Sequence, residues 1–369
     1  MRHILPVAEA ASIAGHIVLL VTQGELAGAV CSGSRLPHCN LALDVADAAD
    51  DESCRHIIES LSPIITDFAP EAVLTGISPQ GEFGVDEAAC ILSTAPVAAM
   101  QDYWGYLNSP SCKEPDVYFV LDKMACELTA KQSQRPVLAI GSPAHAHYSD
   151  INIPVRRNAA RARVPIKSGE RLAIFFGQPL HHLDGYSKTL SACARSLLLQ
   201  SGLSCLYRPH PRESMENFNL PEPFVIWREG TVEDAILACD LLLTVFSTSF
   251  FDAIQLTRGA DVPWMSAVSL FAAPDIQDMC RKECPATIPP FVKLAGICSI
   301  SYDDFFIDIK RGLAPQGAAI FAAQARENSL SPAESVGRAC RLLAAMAECS
   351  RAPEKVLFEA LSSTLLQNW

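Results

Sequence analysis

A histidine between two prolines, His210, is the strongest candidate for chemistry in the sequence. It lies in the run Arg-Pro-His-Pro-Arg-Glu at residues 208–213, directly after an apolar stretch that predicts a β-strand over residues 203–207. The prolines fix the backbone on both sides of the imidazole, so binding would cost little entropy. Arg208 and Arg212 favour an anion, and His210 can donate to a phosphate oxygen or protonate a leaving phosphate. A histidine packed in an ordinary turn is the alternative.

Two further loops follow predicted strands in the same half of the chain. Gly177 and Gln178 follow the strand at residues 172–176, and a glycine there lets a ligand or another backbone come close. The Ser-Thr-Ser run at residues 247–249 stands between a strand and a helix, where hydroxyl and free N–H groups can bind an anion. Ligands of open α/β sheets bind outside the carboxyl ends of the strands, so both loops are predicted to share a phosphate site with His210. A plain turn and ordinary helix capping are the alternatives.

The N-terminal half carries candidate carboxylates in two loops. The loop at residues 75–81 follows a predicted strand and leads to Glu87 at the start of a helix, and the loop at residues 101–106 contains Asp102 beside aromatic residues. A carboxylate at the carboxyl end of a strand suits a general base that faces a polyhydroxylated acceptor. We therefore predict Asp102 as the first and Glu87 as the second choice for the base, although either could instead cap a helix. The predicted acceptor-side residues are Ser78, Trp104 and Tyr106.

The elements that position these residues alternate between strands and helices along the whole chain. This pattern predicts βαβ units with parallel sheets, and two consecutive halves predict two facing Rossmann-like domains. The arginine-rich stretch at residues 145–171, which contains Pro154 and Pro165, is interpreted as an interdomain linker. Ser331 and Pro332 predict a helix that ends near residue 349, and Pro353 predicts a final helix. The predicted domains are residues 1–160, residues 161–350 and a C-terminal helix at residues 351–369.

Composition excludes several classes of protein. The 369 residues carry a formal net charge of −12, which disfavours nucleic acid as a partner. The apolar runs are too short to span a membrane, and the N-terminus has no signal-peptide core, so a cytoplasmic protein with reduced cysteines is expected. The sequence has no Gly-x-Gly-x-x-Gly and no Walker motif, and no cofactor is expected. No metal site is expected either, because the closest candidates lack supporting ligands: the cysteine pair Cys280 and Cys284, and two histidine pairs at residues 145 and 147 and at residues 181 and 182.

The motifs of the C-terminal half resemble a known family. The run Phe-Phe-Gly-Gln-Pro-Leu at residues 175–180, the helix with Tyr186, the His-Pro loop and the Ser-Thr-Ser loop look like the donor domain of bacterial sialyltransferases and polysialyltransferases of the GT-B fold. The resemblance covers residues 171–254. It implies an α/β, GT-B-like fold with a C-terminal helix pair. A similar His-Pro pair also occurs in glycerophosphotransferases of wall teichoic acid synthesis.

The resemblance assigns roles to individual residues. It implies that His210 and the loop at residues 247–249 contact the nucleotide phosphate and the sugar carboxylate, and that Asp102 is the base, although the glycine that follows the acidic residue in the family is not adjacent here. The complete set of predicted donor-binding residues is Gly177, Gln178, Arg208, His210, Pro211, Arg212, Ser247, Thr248 and Ser249.

These observations favour an inverting, metal-independent glycosyltransferase of polysaccharide or glycoconjugate synthesis. Its partners would be a nucleotide-activated sugar, with a CMP-linked nonulosonic acid as one candidate, and a glycan or small-molecule acceptor. The missing Asp-x-Asp motif fits metal independence. The sequence leaves open a nucleotide-sugar epimerase or hydrolase, a non-catalytic nucleotide-sugar-binding subunit, and assembly into a homo-oligomer.

Overall fold

The chain divides into two compact units. The computed structural model describes residues 1–108, 113–166, 169–213, 219–284 and 286–349. The first unit contains Met1–Ala146 together with the described residues 330–349, and the second contains His147–Ser329. These bounds differ from the predicted ones, because the second unit begins before residue 161 and the last described helix belongs to the first unit.

The first unit is built around a parallel sheet in the order β4-β6-β7-β8. Two smaller sheets accompany it, parallel β1-β2 and antiparallel β3-β5. In chain order its elements are α1 (Ile4–Ile13), β1 (Leu20–Gln23), α2 (Glu25–Ser32), β2 (His38–Leu41), β3 (Ala46–Asp47), α3 (Asp51–Phe68), β4 (Val73–Thr75), β5 (Glu82–Phe83), α4 (Val85–Leu92), β6 (Val97–Met100), β7 (Val117–Val120), α5 (Lys123–Thr129) and β8 (Val137–Ala139).

Uninterrupted apolar runs explain the central strands of this sheet. Every residue of β6 and β7 is buried, as expected for parallel strands that are covered on both faces. Helix α3 is capped by Asp50, whose carboxylate accepts from the backbone N–H groups of Glu52 and Ser53, and the helix continues through Pro63 to Phe68. The sequence pattern predicts helices at residues 53–68, 85–93 and 122–129 and strands at residues 72–75, 96–101 and 117–121, and all six are present within a few residues of these bounds.

The second unit is a six-stranded parallel sheet in the order β11-β10-β9-β12-β13-β14, flanked by helices. A 3-10 helix spans Pro143–Asp150 at the junction of the units. The elements that follow are α6 (Ile153–Ala162), β9 (Arg171–Phe176), α7 (Asp184–Leu198), β10 (Leu203–Arg208), β11 (Val225–Ile226), α8 (Val232–Ala238), β12 (Leu241–Thr244), α9 (Ser249–Arg258), β13 (Ser266–Leu270), α10 (Pro274–Glu283), β14 (Ile297–Ser299), α11 (Phe305–Gly312) and α12 (Gly317–Asn328).

The strand order of the second unit determines where a ligand can bind. The chain starts in the middle of the sheet at β9, adds β10 and β11 on one side, and then returns to add β12, β13 and β14 on the other. The direction of winding therefore reverses between β9 and β12. Such a reversal opens a crevice at the carboxyl ends of the two strands, where dinucleotide-binding sheets of the same order hold their ligands.

The predicted linker at residues 145–171 contains the boundary between the units but is not a plain loop, because it includes the end of the 3-10 helix Pro143–Asp150 and the whole of helix α6 of the second unit. Asn152 caps this helix by accepting from Val155 N–H, and Pro154 lies in the first turn, where its missing N–H costs nothing. Its arginines are bound to acidic residues: Arg157 and Arg161 pair with Asp240, while Arg156 and Arg163 pair with Asp234. The arginines of this stretch are therefore held in ion pairs within the second unit, although the side chains of Arg156 and Arg163 stay about half exposed.

The chain ends, within its described part, with α13 (Pro332–Glu348). This helix packs on α1, and Ala339, Leu342 and Met346 join the core of the first unit with Phe119 and Leu138. It starts where the Ser-Pro pair predicts, but the Ser331 side chain makes no capping hydrogen bond. The helix predicted from Pro353 and the predicted domain at residues 351–369 lie outside the described residues.

No helix among the described residues is both long and apolar enough to cross a membrane. The same residues contain no group of three His, Cys, Asp or Glu side chains that could hold a metal ion.

Candidate functional site

The carboxyl ends of β9, β10 and β12 bring three polar loops together in the second unit. We call the residues 177–180, 208–213 and 246–249 the three-loop site. Strand β9 pairs with β10 on one side and with β12 on the other, so the three loops are neighbours at the point where the winding reverses. All of the predicted donor-binding residues belong to these loops.

The loop after β9 joins the other two. Gln178 is buried, and its Oε1 accepts from the backbone N–H of Phe246 at 2.9 Å, which ties it to the loop after β12. Gly177 lies against the loop after β10. A Cβ at this position would lie 2.5 Å from Oε2 of Glu213 and 2.7 Å from Cζ of Tyr207, so no side chain fits there.

The loop after β10 is closed around the side chain of Glu213, which is fully buried. Oε2 of Glu213 accepts from the backbone N–H of His210 at 2.8 Å, and the backbone N–H of Glu213 donates to the carbonyl of His210 at 2.9 Å. Oε1 accepts from the hydroxyl of Tyr207 and from Nε2 of His181. Glu213 was part of the sequence motif but was not among the predicted site residues, because its role depends on groups from three segments.

Two buried tyrosines extend this network to Gln178. The backbone N–H of Gln178 donates to the hydroxyl of Tyr186 at 2.9 Å, and the hydroxyls of Tyr186 and Tyr207 are 3.0 Å apart. Burial raises the pKa of both phenols above the usual range, so both keep their hydrogens. Because Tyr207 donates its one hydrogen to Glu213, the hydrogen between the two tyrosines comes from Tyr186.

The two nitrogens of the His210 imidazole differ in their contacts. Its Nδ1 accepts from the backbone N–H of Arg212 at 3.1 Å. Burial, followed by the charge of Arg212, lowers the pKa of His210 below its ordinary value. The ring is therefore neutral at pH 7, and its hydrogen is on Nε2. Nε2 has no hydrogen-bond partner among the described residues, so it can donate to a ligand.

The two arginines of this loop differ in what they contact. Arg208 donates to the carbonyls of Glu229 and Gly230, at 2.9 and 2.6 Å, and its guanidinium lies over the ring of Trp227. It therefore holds the segment after β11, which leaves it a weaker donor-binding candidate than the sequence predicts. Arg212 is exposed, and its guanidinium forms no ion pair or hydrogen bond with any residue that the structure describes.

The loop after β12 presents unused donors at the start of α9. The hydroxyl of Ser249 and its backbone N–H both donate to Oγ of Ser247, at 3.0 and 3.3 Å, while Thr248 is exposed and its side chain makes no capping bond. The backbone N–H groups of Ser247 and Thr248 have no acceptor within the described part of the chain. Free N–H groups at the positive end of a helix attract anions.

The candidate carboxylates of the first unit lie at the corresponding ends of β4 and β6. Glu87, the second choice for the base, is buried and caps α4: it accepts from the backbone N–H groups of Gly84 and Ser78 and from the side-chain amide of Asn108. The buried predicted acceptor residue Ser78 is part of this cap. Because both oxygens of Glu87 are occupied, its observed role is structural, which the sequence kept open as the alternative.

Asp86 is the carboxylate that the sequence missed. It follows Val85 in the first turn of α4, and its Oδ1 accepts from the backbone N–H of Gly76 at 2.7 Å. Burial, then the negative charge of Glu87, raises the pKa of Asp86 to about 6, and the charge of Asp102 adds to the shift. Two adjacent acids at a helix start look like ordinary capping, so only the packing of Asp86 against the end of β4 distinguishes it.

Asp102, the first choice for the base, follows β6 and keeps an exposed surface. Protein atoms around its carboxyl still remove part of its hydration, which raises its pKa above the ordinary value. The pKa values of Asp86 and Asp102 are therefore both above that of an ordinary aspartate, which suits general acid–base chemistry.

The aromatic residues after β6 have structural contacts. Trp104 is completely buried, and its indole N–H donates to Asp122 at 2.6 Å. It is therefore a weaker acceptor-side candidate than the sequence predicts, because no face of the indole reaches solvent. Tyr106 is half-buried, and its hydroxyl accepts from the backbone N–H of Gln80, which fixes the loop at residues 75–81.

No protein-family model matches the sequence, and no curated protein matches it significantly. Solved structures match along nearly the whole chain. A glycosyltransferase from Rickettsia africae matches with a TM-score of 0.63 at 10% identity and covers 94% of both chains. A UDP-GlcNAc 2-epimerase from Methanocaldococcus jannaschii matches with a TM-score of 0.59 at 12% identity, over 93% of this chain and 95% of that chain. A UDP-GlcNAc 2-epimerase from Neisseria meningitidis, bound to UDP-GlcNAc, matches with a TM-score of 0.54 at 10% identity, over 88% and 98%.

Proposed function

We propose that the protein is an enzyme that acts on a nucleotide-activated sugar and that the three-loop site binds the phosphate of this substrate. The premise is the α/β, GT-B-like fold of this chain with two Rossmann-like units, which confirms the predicted fold class. The observation that carries the proposal is a set of donors near the winding reversal that meet no acceptor among the described residues: Nε2–H of His210, the guanidinium of Arg212, and the backbone N–H groups of Ser247 and Thr248.

The dimensions of the sheet support a shared ligand. Strands β10 and β12 both pair with β9. Neighbouring strands are about 4.8 Å apart, so the loops after β10 and β12 are separated by about 10 Å, and one phosphorylated ligand can reach both. The protein as a whole carries a charge of −12, so these local donors, and not the overall field, must attract the anion.

The reaction that we propose is glycosyl transfer with inversion. An acceptor hydroxyl oxygen bonds to the anomeric carbon from one face, while the bond from that carbon to the nucleotide phosphate breaks on the other. The electron pair leaves with the phosphate, which the Nε2–H of His210 and the N–H groups at the start of α9 stabilise. Asp102 takes the proton of the acceptor hydroxyl. The N–H groups and Arg212 supply the positive potential that a divalent metal otherwise brings, so the proposed reaction is metal-independent.

The resemblance of the sequence motifs supports a narrower form of the proposal. In a sialyltransferase-like enzyme of polysaccharide synthesis, the donor is a CMP-linked nonulosonic acid, whose sugar carries a carboxylate of its own. Arg212 and the hydroxyls of Ser247 and Thr248 are the groups of the three-loop site that suit this second anion.

Nucleotide-sugar epimerisation is the second candidate. It is favoured by Asp86 and Asp102, whose raised pKa values suit proton exchange with the sugar ring itself. Incubation of the protein with the donor and no acceptor separates the two reactions. Without an acceptor, a hydrolase consumes the donor and an epimerase brings it to an equilibrium mixture of two epimers, whereas a transferase leaves most of it unchanged until an acceptor is added.

The test begins with titration calorimetry of CMP, CDP, UDP and GDP, followed by turnover of the sugar donor whose nucleotide binds. We expect His210→Ala to reduce turnover by about 100-fold or more, because a donor that meets developing charge contributes about 3 kcal/mol. His56→Ala is the matched control, since His56 is exposed on α3 in the first unit. Unchanged turnover of the His210 variant, or no binding of any nucleotide by the native protein, would contradict the proposal.

A further inference from the structure

The donors of the three-loop site belong to separate loops, and one chain of hydrogen bonds connects these loops. It starts at the backbone N–H of Phe246, which donates to Oε1 of Gln178. The backbone N–H of Gln178 donates to Tyr186, and Tyr186 donates to Tyr207. The chain continues from Tyr207 to Glu213, whose other oxygen accepts from the backbone N–H of His210.

Each link in this chain has a fixed direction. The two phenols are protonated because burial raises the pKa of each, and each has one hydrogen to donate. Glu213 has only acceptor oxygens to offer, and between them they receive from Tyr207, His181 and His210. Reversal of any one bond would leave a buried donor facing a donor, which costs about 1–3 kcal/mol. The chain therefore has one arrangement.

We propose that Glu213 and Tyr207 are positioning residues, and that this hydrogen-bond chain holds His210 and the start of α9 in register for one phosphate ligand. The proposal rests on the proposed function for the identity of the ligand, but not for the coupling between the loops. Neither residue needs to touch the ligand. Glu213 acts through the backbone of His210, and Tyr207 acts through Glu213.

The absence of a side chain at Gly177 is part of the same arrangement. The space where its Cβ would stand is filled by the hydroxyl of Tyr207 and Oε2 of Glu213. Buried contacts of this kind leave Glu213 little freedom to shift, so its hydrogen bond to the backbone N–H of His210 restricts the orientation of the His210 loop.

Two conservative substitutions break the chain at different links. Tyr207→Phe preserves the ring in its stacked contact with Phe175 and removes only the hydroxyl. Glu213→Gln preserves the shape but replaces one acceptor oxygen by a donor amide, so one of its three contacts must be lost. Two matched controls lose comparable groups elsewhere. Tyr118→Phe removes a buried hydroxyl that bonds to Ser133 in the first unit, and Glu170→Gln changes an acceptor that binds Ser204 at the amino end of β9 and β10.

The experiment has two readouts that would not change if Glu213 and Tyr207 only stabilised the fold. In ¹⁵N NMR of imidazole-labelled protein without ligand, we expect native His210 to be the neutral form with hydrogen on Nε2. In Tyr207→Phe and Glu213→Gln we expect a mixture of tautomers and a pKa of His210 closer to its ordinary value. In calorimetry with the nucleotide that the native protein binds, we expect the same two variants to lose about 10-fold in affinity, and the controls to lose less than 2-fold, in line with one buried hydrogen bond.

The outcomes separate the two proposals. If the tautomer of His210 and the nucleotide affinity of both folded variants match those of the controls, the positioning role is overturned. If the tautomer changes as expected but the native protein binds none of CMP, CDP, UDP and GDP, the positioning role stands and the proposed function is overturned.

Discussion

The two Rossmann-like units present opposite chemistry at the carboxyl ends of their strands. In the second unit the buried carboxyl of Glu213 is saturated by donors, and the groups left over are themselves donors: the imidazole N–H of His210, Arg212 and the N–H groups at the start of α9. In the first unit Glu87 is saturated in the same manner, and the groups left over are the carboxyls Asp86 and Asp102. The carboxyl ends of the second-unit strands therefore suit the binding of an anion, and those of the first-unit strands suit proton exchange.

This difference shows how one architecture supports two tasks. Both sheets are parallel, so both collect loops at the same end, and neither topology determines the charge of those loops. The charge depends on the other side chains that each unit places there. The buried acids themselves are alike, because each accepts from three donors: Glu213 from Tyr207, His181 and the backbone of His210, and Glu87 from Asn108 and the backbone of Ser78 and Gly84.

The largest effect is expected from Gly177→Ala, which tests the packing of Gly177 against Tyr207 and Glu213 in the second unit. The added methyl group would lie 2.5 Å from Oε2 of Glu213, so Glu213 and Tyr207 must shift, at a cost of about 3 kcal/mol of unfolding free energy. We also expect nucleotide binding to be lost. Urea unfolding and calorimetry measure both effects.

Gly259→Ala is the control for this change, because a Cβ at Gly259 meets no atom within 4 Å. Equal stability of the two variants would show that the close approach at Gly177 does not exist.

A smaller and pH-dependent effect is expected from Asp86→Asn in the first unit. The pKa of Asp86 is about 6 in the folded protein and about 3.9 in the unfolded chain, so the folded state binds the proton more tightly. The ionised carboxyl therefore destabilises the fold progressively as the pH rises from about 4 through 6. A shift of about two pKa units corresponds to about 3 kcal/mol at most, and partial exposure reduces the expected penalty to about 2 kcal/mol.

Urea unfolding at several pH values measures this penalty. The gain in unfolding free energy of Asp86→Asn over the native protein should increase between pH 4.5 and 7.5 and then level off. Asp51→Asn, at the exposed first turn of α3, serves as the control. If the gain in unfolding free energy does not depend on pH, the pKa of Asp86 is not raised by folding, and Asp86 does not contribute to the difference between the two units.

The smallest effect is expected from Arg212→Ala, which sharpens the electrostatic side of the comparison. Arg212 has no acidic partner among the described residues, so its charge is available to a phosphate ligand. We expect nucleotide affinity to fall about 5-fold at low salt and less at high salt, because Arg212 is exposed and screened. Arg195→Ala, on the exposed side of α7, controls for net charge. The same loss in both variants would contradict a local role.

The sequence was most informative where an element has a strong local pattern. The apolar runs of β6, β7, β9 and β12 and the start of α3 were predicted within a few residues, because burial on both faces requires such runs. Helix α6 was misread because arginine-rich segments with prolines usually form loops. The physical reason for the error is that its arginines are neutralised by Asp234 and Asp240, which are distant in sequence.

The site was predictable as a set of loops but not as a set of roles. The rule that ligands bind at strand ends selected all three loops. It did not reveal that Arg208 donates to the carbonyls of Glu229 and Gly230. Nor did it reveal that Trp104 is buried against Asp122, or that Glu213 accepts from the backbone of His210. Each of these roles depends on contacts between different segments of the chain, and such contacts cannot be inferred from residue type and spacing.

The arginines of α6 also determine where the second unit can be separated from the rest of the chain. Asp240 pairs with Arg157 and Arg161, and its Oδ2 also accepts from the backbone N–H of Leu172 at the amino end of β9. A recombinant fragment that started at residue 161, where the sequence placed the domain boundary, would lack Arg157 and would leave Asp234 without Arg156. A fragment that starts before Asn152 keeps the helix, its cap and all four ion pairs, so we expect it to fold as a unit on which the proposed binding of a nucleotide can be tested separately.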